Sequence, residues 1–429
     1  MKVAVIGGGW AGLTAAVELA GAGIKVSVFE AAKQPGGRAR SMDVNGHALD
    51  NGQHILIGAY RETLRLMNIV GADPERLLMR LPLELTFPGS KPAFLLRLPH
   101  LPAPLHLAVG LFAASGARLS EKIRAVRFMR SLQASNYQLD ADCTVNALLD
   151  RHAQHGSLRR HLWEPLCLAA LNTEPANASA QIFANVLRDS LGGARAETDL
   201  LLPAADLDQL FPHPAAAFIA AHGGEIRLST RVERIDDDLS IAGEIFDKII
   251  LATAPQHAAV FLAQRTETAE IAAMLESYTY EPIGTAYVGY PPELRLPFPM
   301  LGLSGGTECN MGQWVFDRGP LGGTPGVMGF VLSAGGAWDE CDNETLVSTL
   351  HAELQTALQT NLPPPQWHQV IRERRASFSC RPDLPRPSAK TAHPGLWLAG
   401  DYACAGYPAT LEGAVRSGVA AAQGILNTA

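Results

Sequence analysis

The chain begins with an apolar strand that runs directly into a glycine-rich turn, Val3-Ala4-Val5-Ile6-Gly7-Gly8-Gly9-Trp10-Ala11-Gly12. Gly7 permits the tight turn out of the strand, and Gly9 lets backbone N–H groups approach a pyrophosphate. Gly12 allows the following helix to pack closely on the sheet, with the positive end of its dipole towards the phosphates. This stretch predicts a dinucleotide-binding βαβ unit.

An acidic residue stands where such a unit needs one. Glu30 ends the second predicted strand about 20 residues after the glycines, where its carboxylate can accept hydrogen bonds from both hydroxyls of an adenosine ribose and repels a 2′-phosphate. The alternative is an ordinary βαβ unit, because glycine-rich turns occur in many strand-to-helix connections. The order of strand, glycines, helix and acid favours the nucleotide, but it does not distinguish FAD from NAD.

Composition limits the function classes. With 429 residues, 47% of them hydrophobic, the chain can form two or three domains, and its net charge of -7 argues against nucleic acid as a partner. The six cysteines have no metal-ligand spacing, which predicts reduced thiols, no metal site and a cytoplasmic location. Because Lys2 leads straight into the nucleotide-binding strand, we expect no cleavable signal peptide, and no apolar stretch reaches the about 18 residues that a spanning helix needs.

The dinucleotide pattern is distributed over three parts of the chain. Residues 1–60 hold the glycines, residues 215–260 return to alternating helix and strand, and residues 390–429 supply a last strand and helix. The leucine-rich, helical residues 61–214 and residues 261–389, which are strand-like between 286 and 375, are assigned to a substrate-binding domain. The predicted fold is therefore α/β, a doubly wound Rossmann-like domain with an inserted α+β domain.

The C-terminal part favours FAD over NAD. NAD enzymes of this fold complete their cofactor site within the first sheet, whereas the longer FAD needs a holder for its ribityl chain. Asp401, at the end of the last predicted strand, can accept hydrogen bonds from ribityl hydroxyls, and the helix that follows Thr410 directs its positive end at the isoalloxazine. Arg38 is placed to meet a phosphate or the flavin edge.

These motifs resemble the flavin amine oxidase and phytoene desaturase superfamily, through GGGWAG, Glu30, GGRARS, RVERI (Arg231–Ile235, interpreted as a strand) and the LAGD to LEGAVRSG ending. Within it, Trp163–Ala180, the DNGQH segment (50–54) and LPAPLHL (Leu101–Leu107) resemble the squalene-associated FAD-dependent desaturases, also described as hydroxysqualene dehydroxylases. The resemblance implies an amine-oxidase-like fold and the removal of the hydroxyl of an allylic C30 alcohol, with hydride from reduced FAD, in squalene and hopanoid biosynthesis. Carried over by position, it implies FAD contacts at Gly7, Gly9, Gly12, Glu30, Gly37, Arg38, Val232 and Asp401, to which we add Glu412 and Gly413.

The implied chemistry needs a proton donor near the departing hydroxyl. Our hypothesis is ionisation of the allylic alcohol to a delocalised cation, which takes up the hydride, and general-acid assistance typically contributes 10²- to 10⁴-fold. His54 and Glu174 are the candidate catalytic residues, with Asn172 as an orienting group. A structural histidine at 54, and a glutamate at 174 that caps the turn before Pro175, are the alternatives.

A C30 isoprenoid requires a long apolar tunnel, in which each buried CH₂ contributes about 0.8 kcal/mol. The apolar residues 93–112 include Arg97 and precede a predicted helix at 120–130 that carries four basic residues. This arrangement predicts peripheral contact with the anionic inner face of the cell membrane. Core packing combined with a solvated basic face is the alternative.

Other functions stay open from the sequence. A carotenoid (phytoene-type) desaturase shares the apolar tunnel but removes hydrogens and needs an electron acceptor. A flavin amine oxidase needs a lysine near the flavin and an aromatic pair, of which Tyr407 is one candidate. The non-enzymatic alternative is a flavin-bearing scaffold for prenyl-transferring enzymes of the squalene pathway, and these enzymes are also candidate partners of the dehydroxylase.

Overall fold

The computed structural model describes residues 1–44, 46–303 and 311–428. Its strands are β1 (Lys2–Ile6), β2 (Lys25–Phe29), β3 (Ser41–Val44), β4 (His47–Asp50), β5 (Leu56–Ile57), β6 (Leu78–Leu81), β7 (Glu84–Phe87), β8 (Phe94–Arg97), β9 (Leu200–Pro203), β10 (Glu225–Arg227), β11 (Ser240–Ile241), β12 (Glu244–Ile245), β13 (Lys248–Leu251), β14 (Tyr280–Gly289), β15 (Met300–Gly302), β16 (Trp314–Asp317), β17 (Val327–Ser333), β18 (Trp367–Phe378) and β19 (Leu396–Leu398). Its helices are α1 (Trp10–Gly21), α2 (Arg61–Ile69), α3 (Pro74–Leu77), α4 (Leu105–Ala113), α5 (Leu119–Ala134), α6 (Val145–Arg151), α7 (Glu164–Leu171), α8 (Ala180–Ser190), α9 (Leu207–Leu210), α10 (Pro212–Ala221), α11 (Pro255–Leu262), α12 (Ala269–Glu276), α13 (Ala337–Glu340), α14 (Asn343–Leu358) and α15 (Leu411–Leu426).

A parallel sheet of five strands, in the order β10-β2-β1-β13-β19, organises the first half of the fold. Val5 at its centre pairs with Val28 of β2 and Ile250 of β13. The strands are short apolar runs because helices cover both faces of a parallel sheet. Their sequence positions, 2–29, 225–251 and 396–398, confirm the predicted α/β fold, in which separated parts of the chain form one sheet.

Glycines allow helices α1 and α15 to approach closely. A Cβ at Gly12 would lie 2.0 Å from the carbonyl oxygen of Gly7, and a Cβ at Gly418 would lie 2.3 Å from that of Ala11. Gly7 itself has a φ of +112°, which a residue with a side chain rarely adopts. Glycine at position 12 therefore lets α1 pack on the turn at Gly7, and glycine at position 418 lets α15 pack on α1.

The core of this half extends beyond the predicted domain boundaries. Leu66 and Met67 of α2, with Leu201 of β9 and Phe211 before α10, pack in the same core as Val3 and Val5. These four residues lie within 61–214, which the sequence assigned to the substrate-binding domain. The core around the parallel sheet thus includes residues from both ends of the segment 61–214.

The second half contains an antiparallel sheet of five strands, in the order β15-β16-β17-β14-β18. One face packs on α14 through Phe330 and Leu350, and a Cβ at Gly284 on this face would lie 2.5 Å from the Trp338 ring. On the other face, the hydroxyl of Tyr287 donates to the carbonyl oxygen of Asp50 at 3.0 Å. The sheet therefore lies against the segment that follows the nucleotide-binding strands.

Helices α4–α8 and the hairpin β7–β8 form the remaining layer around a large apolar core that includes Phe94, Phe128 and Trp163. The helix predicted over 120–130 is α5, and a π-helical turn, Arg159–Trp163, precedes α7. Within the residues that the structure describes, no helix combines the length and the apolar character that crossing a membrane requires.

The prediction of a strand at Arg231–Ile235 was wrong. Strand β10 ends at Arg227, and the chain then turns through Ser229, which has a φ of +52°. Residues 231–235 continue without strand pairing, and β10 stays the edge strand of the sheet. The five cysteines among the described residues are free thiols, and Cys309 lies outside the described residues.

Candidate cofactor and active site

Two glycine-rich segments meet above the first sheet and leave a cradle without side chains. The N–H of Gly36 donates to the carbonyl oxygen of Gly8 at 2.8 Å, and a Cβ at Gly37 would lie 3.0 Å from the Cα of Gly9. The first intrahelical bond of α1 runs from Leu13 N–H to the Gly9 carbonyl, so the N–H groups of the preceding turn have no acceptor within the helix. This cradle fits the pyrophosphate of a dinucleotide.

The carboxylate of Glu30 is held at the edge of the cradle by backbone groups. It accepts from Gly8 N–H and from Ala32 N–H, each at 2.7 Å, through different oxygens. Each oxygen keeps a further lone pair for a ribose hydroxyl. Thr230 N–H donates to the Glu30 carbonyl at 2.8 Å, which brings the segment of Val232 next to the predicted adenosine position. A contact of Val232 with the cofactor stays a prediction.

Residues from the two ends of the chain form an ion pair beside this cradle. Arg38 Nη2 lies 2.8 Å from Asp401 Oδ2, and Arg38 Nη1 donates to the carbonyl oxygen of Ala376 in β18. The Asp401 side chain is only 7% exposed, and its charge raises the pKa of the Arg38 guanidinium. The pair brings the GGR loop, the LAGD strand and the antiparallel sheet to one place.

Helix α15 starts beside that pair, with Thr410 as its N-cap, whose hydroxyl accepts from Gly413 N–H at 3.1 Å. The Glu412 carboxylate is fully buried and accepts from the N–H (2.9 Å) and the hydroxyl (2.8 Å) of Thr63, and from Arg416 Nε (2.8 Å). These contacts join α15 to α2. A cofactor role of Glu412 or Gly413 stays a prediction.

The family model of flavin-containing amine oxidoreductases matches residues 10–426, which is nearly the whole chain. The chain belongs to the flavin-containing amine oxidoreductase family. The family confirms the superfamily resemblance and a flavin cofactor, which the cradle and the ion pair between Arg38 and Asp401 fit. The protein is therefore a flavin-dependent oxidoreductase.

Relatives of this flavin-containing oxidoreductase carry the names predicted from its motifs. It is 31% identical to hydroxysqualene dehydroxylase of Rhodopseudomonas palustris, over 99% of this chain and 98% of that protein. It is 28% identical to hydroxysqualene dehydroxylase of Sinorhizobium fredii, over 98% and 97%. Zeta-carotene desaturase of Synechocystis is 23% identical, over 99% and 97%. The structure of cyclohexylamine oxidase from Brevibacterium oxydans has the same fold, with a TM-score of 0.68 and 18% identity over 100% and 99% of the two chains.

The DNGQH segment of the oxidoreductase is held by a buried polar network. Asp50 accepts from Ser41 Oγ and from Leu207 N–H, both at 3.0 Å, and lies 3.5 Å from Arg318. Arg318 also donates to Gln53 Oε1 at 3.1 Å. Burial raises the pKa of Asp50, and Arg318 opposes that shift. Arg318 was missed by sequence reasoning because a lone arginine between a strand and a Gly-Pro turn carries no motif.

His54 follows this network and is half-buried. Its Nδ1 lies 2.8 Å from the carbonyl oxygen of Gly52, which can only accept, so Nδ1 carries the proton and Nε2 is an acceptor. Burial lowers the pKa of His54. A Cβ at Gly52 would lie 3.7 Å from Thr285 Oγ1, which places the segment on β14.

Asn172 and Glu174 lie on the turn after α7. Asn172 has a φ of +46°, its Nδ2 donates to the Pro282 carbonyl (3.2 Å) and to Ser377 Oγ (2.9 Å), and its Oδ1 accepts from Ala334 N–H at 2.7 Å. The amide thus fixes the turn to β14 and β18. The Glu174 side chain is accessible, and partial burial together with the charges of Glu164 and Glu281 raises its pKa.

Strand β14 brings the three candidates into one region. Asn172 meets it at Pro282 and the His54 segment meets it near Thr285, positions about 10 Å apart along a strand. Ala376, which binds Arg38, directly precedes Ser377, which binds Asn172. The structure therefore brings the predicted catalytic segments to the sheet that also contacts the cofactor ion pair.

An aromatic cluster lies in the core of the inserted domain. His161, on the π-helical turn, is 4% exposed and packs on Phe87 and Phe94 at ring-centroid distances of 4.8 and 4.9 Å. Phe87 also packs on Trp314 of β16 at 5.2 Å. Burial lowers the pKa of His161 to about 4. Among the residues that the structure describes, no group of His, Cys, Asp or Glu is arranged to hold a metal ion.

Proposed function

We propose that this protein converts hydroxysqualene to squalene with FAD as its flavin. The observation that carries the proposal is the 31% identity, over 99% of this chain, to a hydroxysqualene dehydroxylase. FAD rather than FMN is supported by the phosphate cradle and by Glu30, because these groups suit the adenosine half that FMN lacks.

The overall change is the replacement of a C–OH bond by a C–H bond. The alcohol, one hydride and one proton give the hydrocarbon and water. FAD, when bound in its reduced form, supplies the hydride. The chain's own residues must hold the apolar substrate, orient its hydroxyl group, and protonate the departing oxygen.

Glu174 is the proposed proton donor. A carboxyl with a raised pKa keeps its proton at a higher pH than an ordinary glutamate, which a general acid requires. His54 cannot take this role in its neutral form, because its proton is directed at the Gly52 carbonyl. Its Nε2 can instead accept a hydrogen bond from the hydroxyl group and orient it. Asn172 is a positioning residue, since its amide holds the turn that carries Glu174.

The substrate is proposed to lie along the apolar core of the inserted domain. Each CH₂ group removed from water contributes about 0.8 kcal/mol, so a C30 chain can be bound with very few polar contacts. The side chains of Phe87, Phe94 and Trp314 make this part of the core aromatic and apolar. With a pKa of about 4, His161 is neutral near pH 7 and adds no charge to this part of the core.

The test is a single-turnover reaction. The purified flavoprotein is reduced anaerobically, mixed with hydroxysqualene, and followed by flavin absorbance and by mass spectrometry of extracted lipids. We expect flavin reoxidation and one squalene per oxidised flavin. A flavoprotein that stays reduced and forms no squalene contradicts the proposal.

A carotenoid-type desaturase is the second candidate, because the zeta-carotene desaturase of Synechocystis aligns over 99% of this chain. In a desaturase, electrons pass from the substrate to the flavin, which is the opposite direction to a dehydroxylase. Zeta-carotene or a related polyene would then reduce the oxidised flavin and bleach its absorbance. The reduced flavoprotein would not react with hydroxysqualene. A non-catalytic flavoprotein scaffold would show neither reaction.

A further inference from the structure

Large apolar side chains are exposed in one part of the inserted domain. Among the described residues, twelve large hydrophobic residues are exposed, and six of them lie between positions 95 and 123. We call these six the docking face: Leu95 (38% exposed), Leu105 (52%), Val109 (42%), Phe112 (47%), Leu119 (63%) and Ile123 (36%). An apolar set of this kind on a protein surface indicates an interaction site.

The elements that carry the docking face pack on one another. Leu105, Val109 and Phe112 recur at i, i+4 and i+7, so they share one side of α4. The other side packs on the end of β8, where a Cβ at Gly110 would lie 2.4 Å from Leu98 Cδ2. Lys122 of α5 donates to the carbonyl oxygen of Phe112 at 2.8 Å. The docking face is therefore a surface of three packed elements.

Positive charge accompanies the docking face. Residues 91–130 contain seven lysines and arginines and one acidic residue, in a chain whose net charge is -7. The acidic residue, Glu121, is buried and accepts from Ser157 N–H at 2.9 Å. On α5, Arg127 and Arg130 follow Leu119 and Ile123 at helical spacing and are exposed.

We infer that the docking face inserts into the surface of an anionic lipid bilayer, with the basic residues around it bound to lipid headgroups. Apolar side chains beside clustered arginine and lysine match both parts of such a surface. A second copy of the chain is a poorer match, because a symmetric contact would place the same basic residues against each other. The inference deepens the proposed function and rests on it for the reason to dock: the C30 substrate partitions into the bilayer.

The residues beneath the docking face belong to the apolar core of the inserted domain. Phe94 and Leu111 are buried beneath it and belong to the same apolar core as Tyr402, the neighbour of Asp401. A lipid leaving the bilayer at this face would thus pass from one apolar environment to another. Docking would avoid exposing the isoprenoid to water on its way to the flavin.

Vesicle co-sedimentation tests the inference. The flavoprotein is mixed with phosphatidylglycerol vesicles and, separately, with phosphatidylcholine vesicles. We expect binding to the anionic vesicles, weakened about tenfold or more in the triple variant L105S/V109S/F112S and in R127E/R130E. The matched control V260S/F298S changes exposed apolar residues elsewhere and should bind as the parent does. Absent binding by the parent protein, or equal binding by the docking-face variants, overturns the inference.

Activity separates the two proposals. With hydroxysqualene in detergent micelles the docking-face variants should turn over as the parent does, whereas with substrate in anionic vesicles they should be slower. If no squalene forms from either source of substrate, the proposed function is wrong. Vesicle binding would still test the docking inference on its own. If sedimentation velocity shows a dimer that L105S/V109S/F112S disrupts, and vesicles do not bind, the face is a contact between copies, and the membrane inference is wrong.

Discussion

Glu174 and His54 show how burial moves the pKa values of a carboxyl and an imidazole apart. Both are affected by burial, which disfavours the charged form and therefore moves the two pKa values in opposite directions. The protonated form of the carboxyl persists to a higher pH than in an ordinary glutamate, and the imidazole stays a neutral hydrogen-bond acceptor. Of the two groups, we therefore expect the carboxyl to donate the proton to the leaving hydroxyl group.

Replacing Glu174 with Gln should therefore slow dehydroxylation by about 10²- to 10⁴-fold without loss of bound flavin. Because the protonated acid is the active form, kcat/KM of the parent should be highest below the raised pKa of Glu174 and fall as the pH increases through it. The exposed Glu276 provides the matched control, E276Q, which should behave as the parent. An E174Q variant with parental rates at every pH would remove Glu174 from the mechanism.

The buried His161 leads to a prediction about how the free energy of unfolding depends on pH. Its pKa is about 4 in the folded protein and about 6.5 when unfolded, so the unfolded state binds more protons between these values. Stability should therefore decrease as the pH falls from about 6.5 to 4, by roughly 3 kcal/mol from this residue. Urea titrations should show H161F to be less acid-sensitive than the parent, while H213N, at an exposed position, should not differ from it.

Among the secondary-structure elements, the N-terminal βαβ unit was predicted well because its glycines have local, sterically defined tasks. The predicted strand at Arg231–Ile235 failed for the opposite reason. The β-branched residues Val232 and Ile235 suit a pleated surface, but a strand also needs a pairing partner, and residues 231–235 pair with no strand among the described residues. Strand pairing is a long-range property that a five-residue pattern does not contain.

Helices α1 and α15 lie at opposite ends of the chain, and Gly418 sets their separation. In G418A the new Cβ would meet the Ala11 carbonyl at 2.3 Å and the Thr14 Cβ at 2.8 Å, so the helices must move apart. We expect a loss of about 1–3 kcal/mol in the free energy of unfolding, measured by urea denaturation. Gly335 has nothing within 4 Å of an added Cβ, and G335A should leave the stability unchanged. Equal stability of the two variants would mean that the packing at Gly418 is looser than the structure shows.

For the molecule as a whole, the sequence predicted which segments build the nucleotide-binding sheet. The structure pairs Arg38 with Asp401, and their contact with a common cofactor stays a prediction. The sequence did not reveal the Asp50 to Arg318 pair, since those residues are brought together by the sheet across more than 250 positions. The sequence predicted membrane contact for residues 93–130, which stays a prediction, and it could not distinguish the buried from the exposed side of α4. Those distinctions depend on which neighbours each side meets.

The ion pair between Arg38 and Asp401 joins segments from both ends of the chain, and we expect these segments to hold FAD together. A ligand that binds only the folded state stabilises it, by about 2.7 kcal/mol at a concentration of 100 times Kd. FAD added to the apoprotein should therefore raise Tm. Because Arg38 is held by Asp401 and by β18, D401A should weaken FAD binding and remove most of the rise. In D383A, which changes an exposed aspartate that follows β18, the rise should persist. A D401A apoprotein that gains as much Tm from FAD as the parent would show that the C-terminal strand takes no part in holding the cofactor.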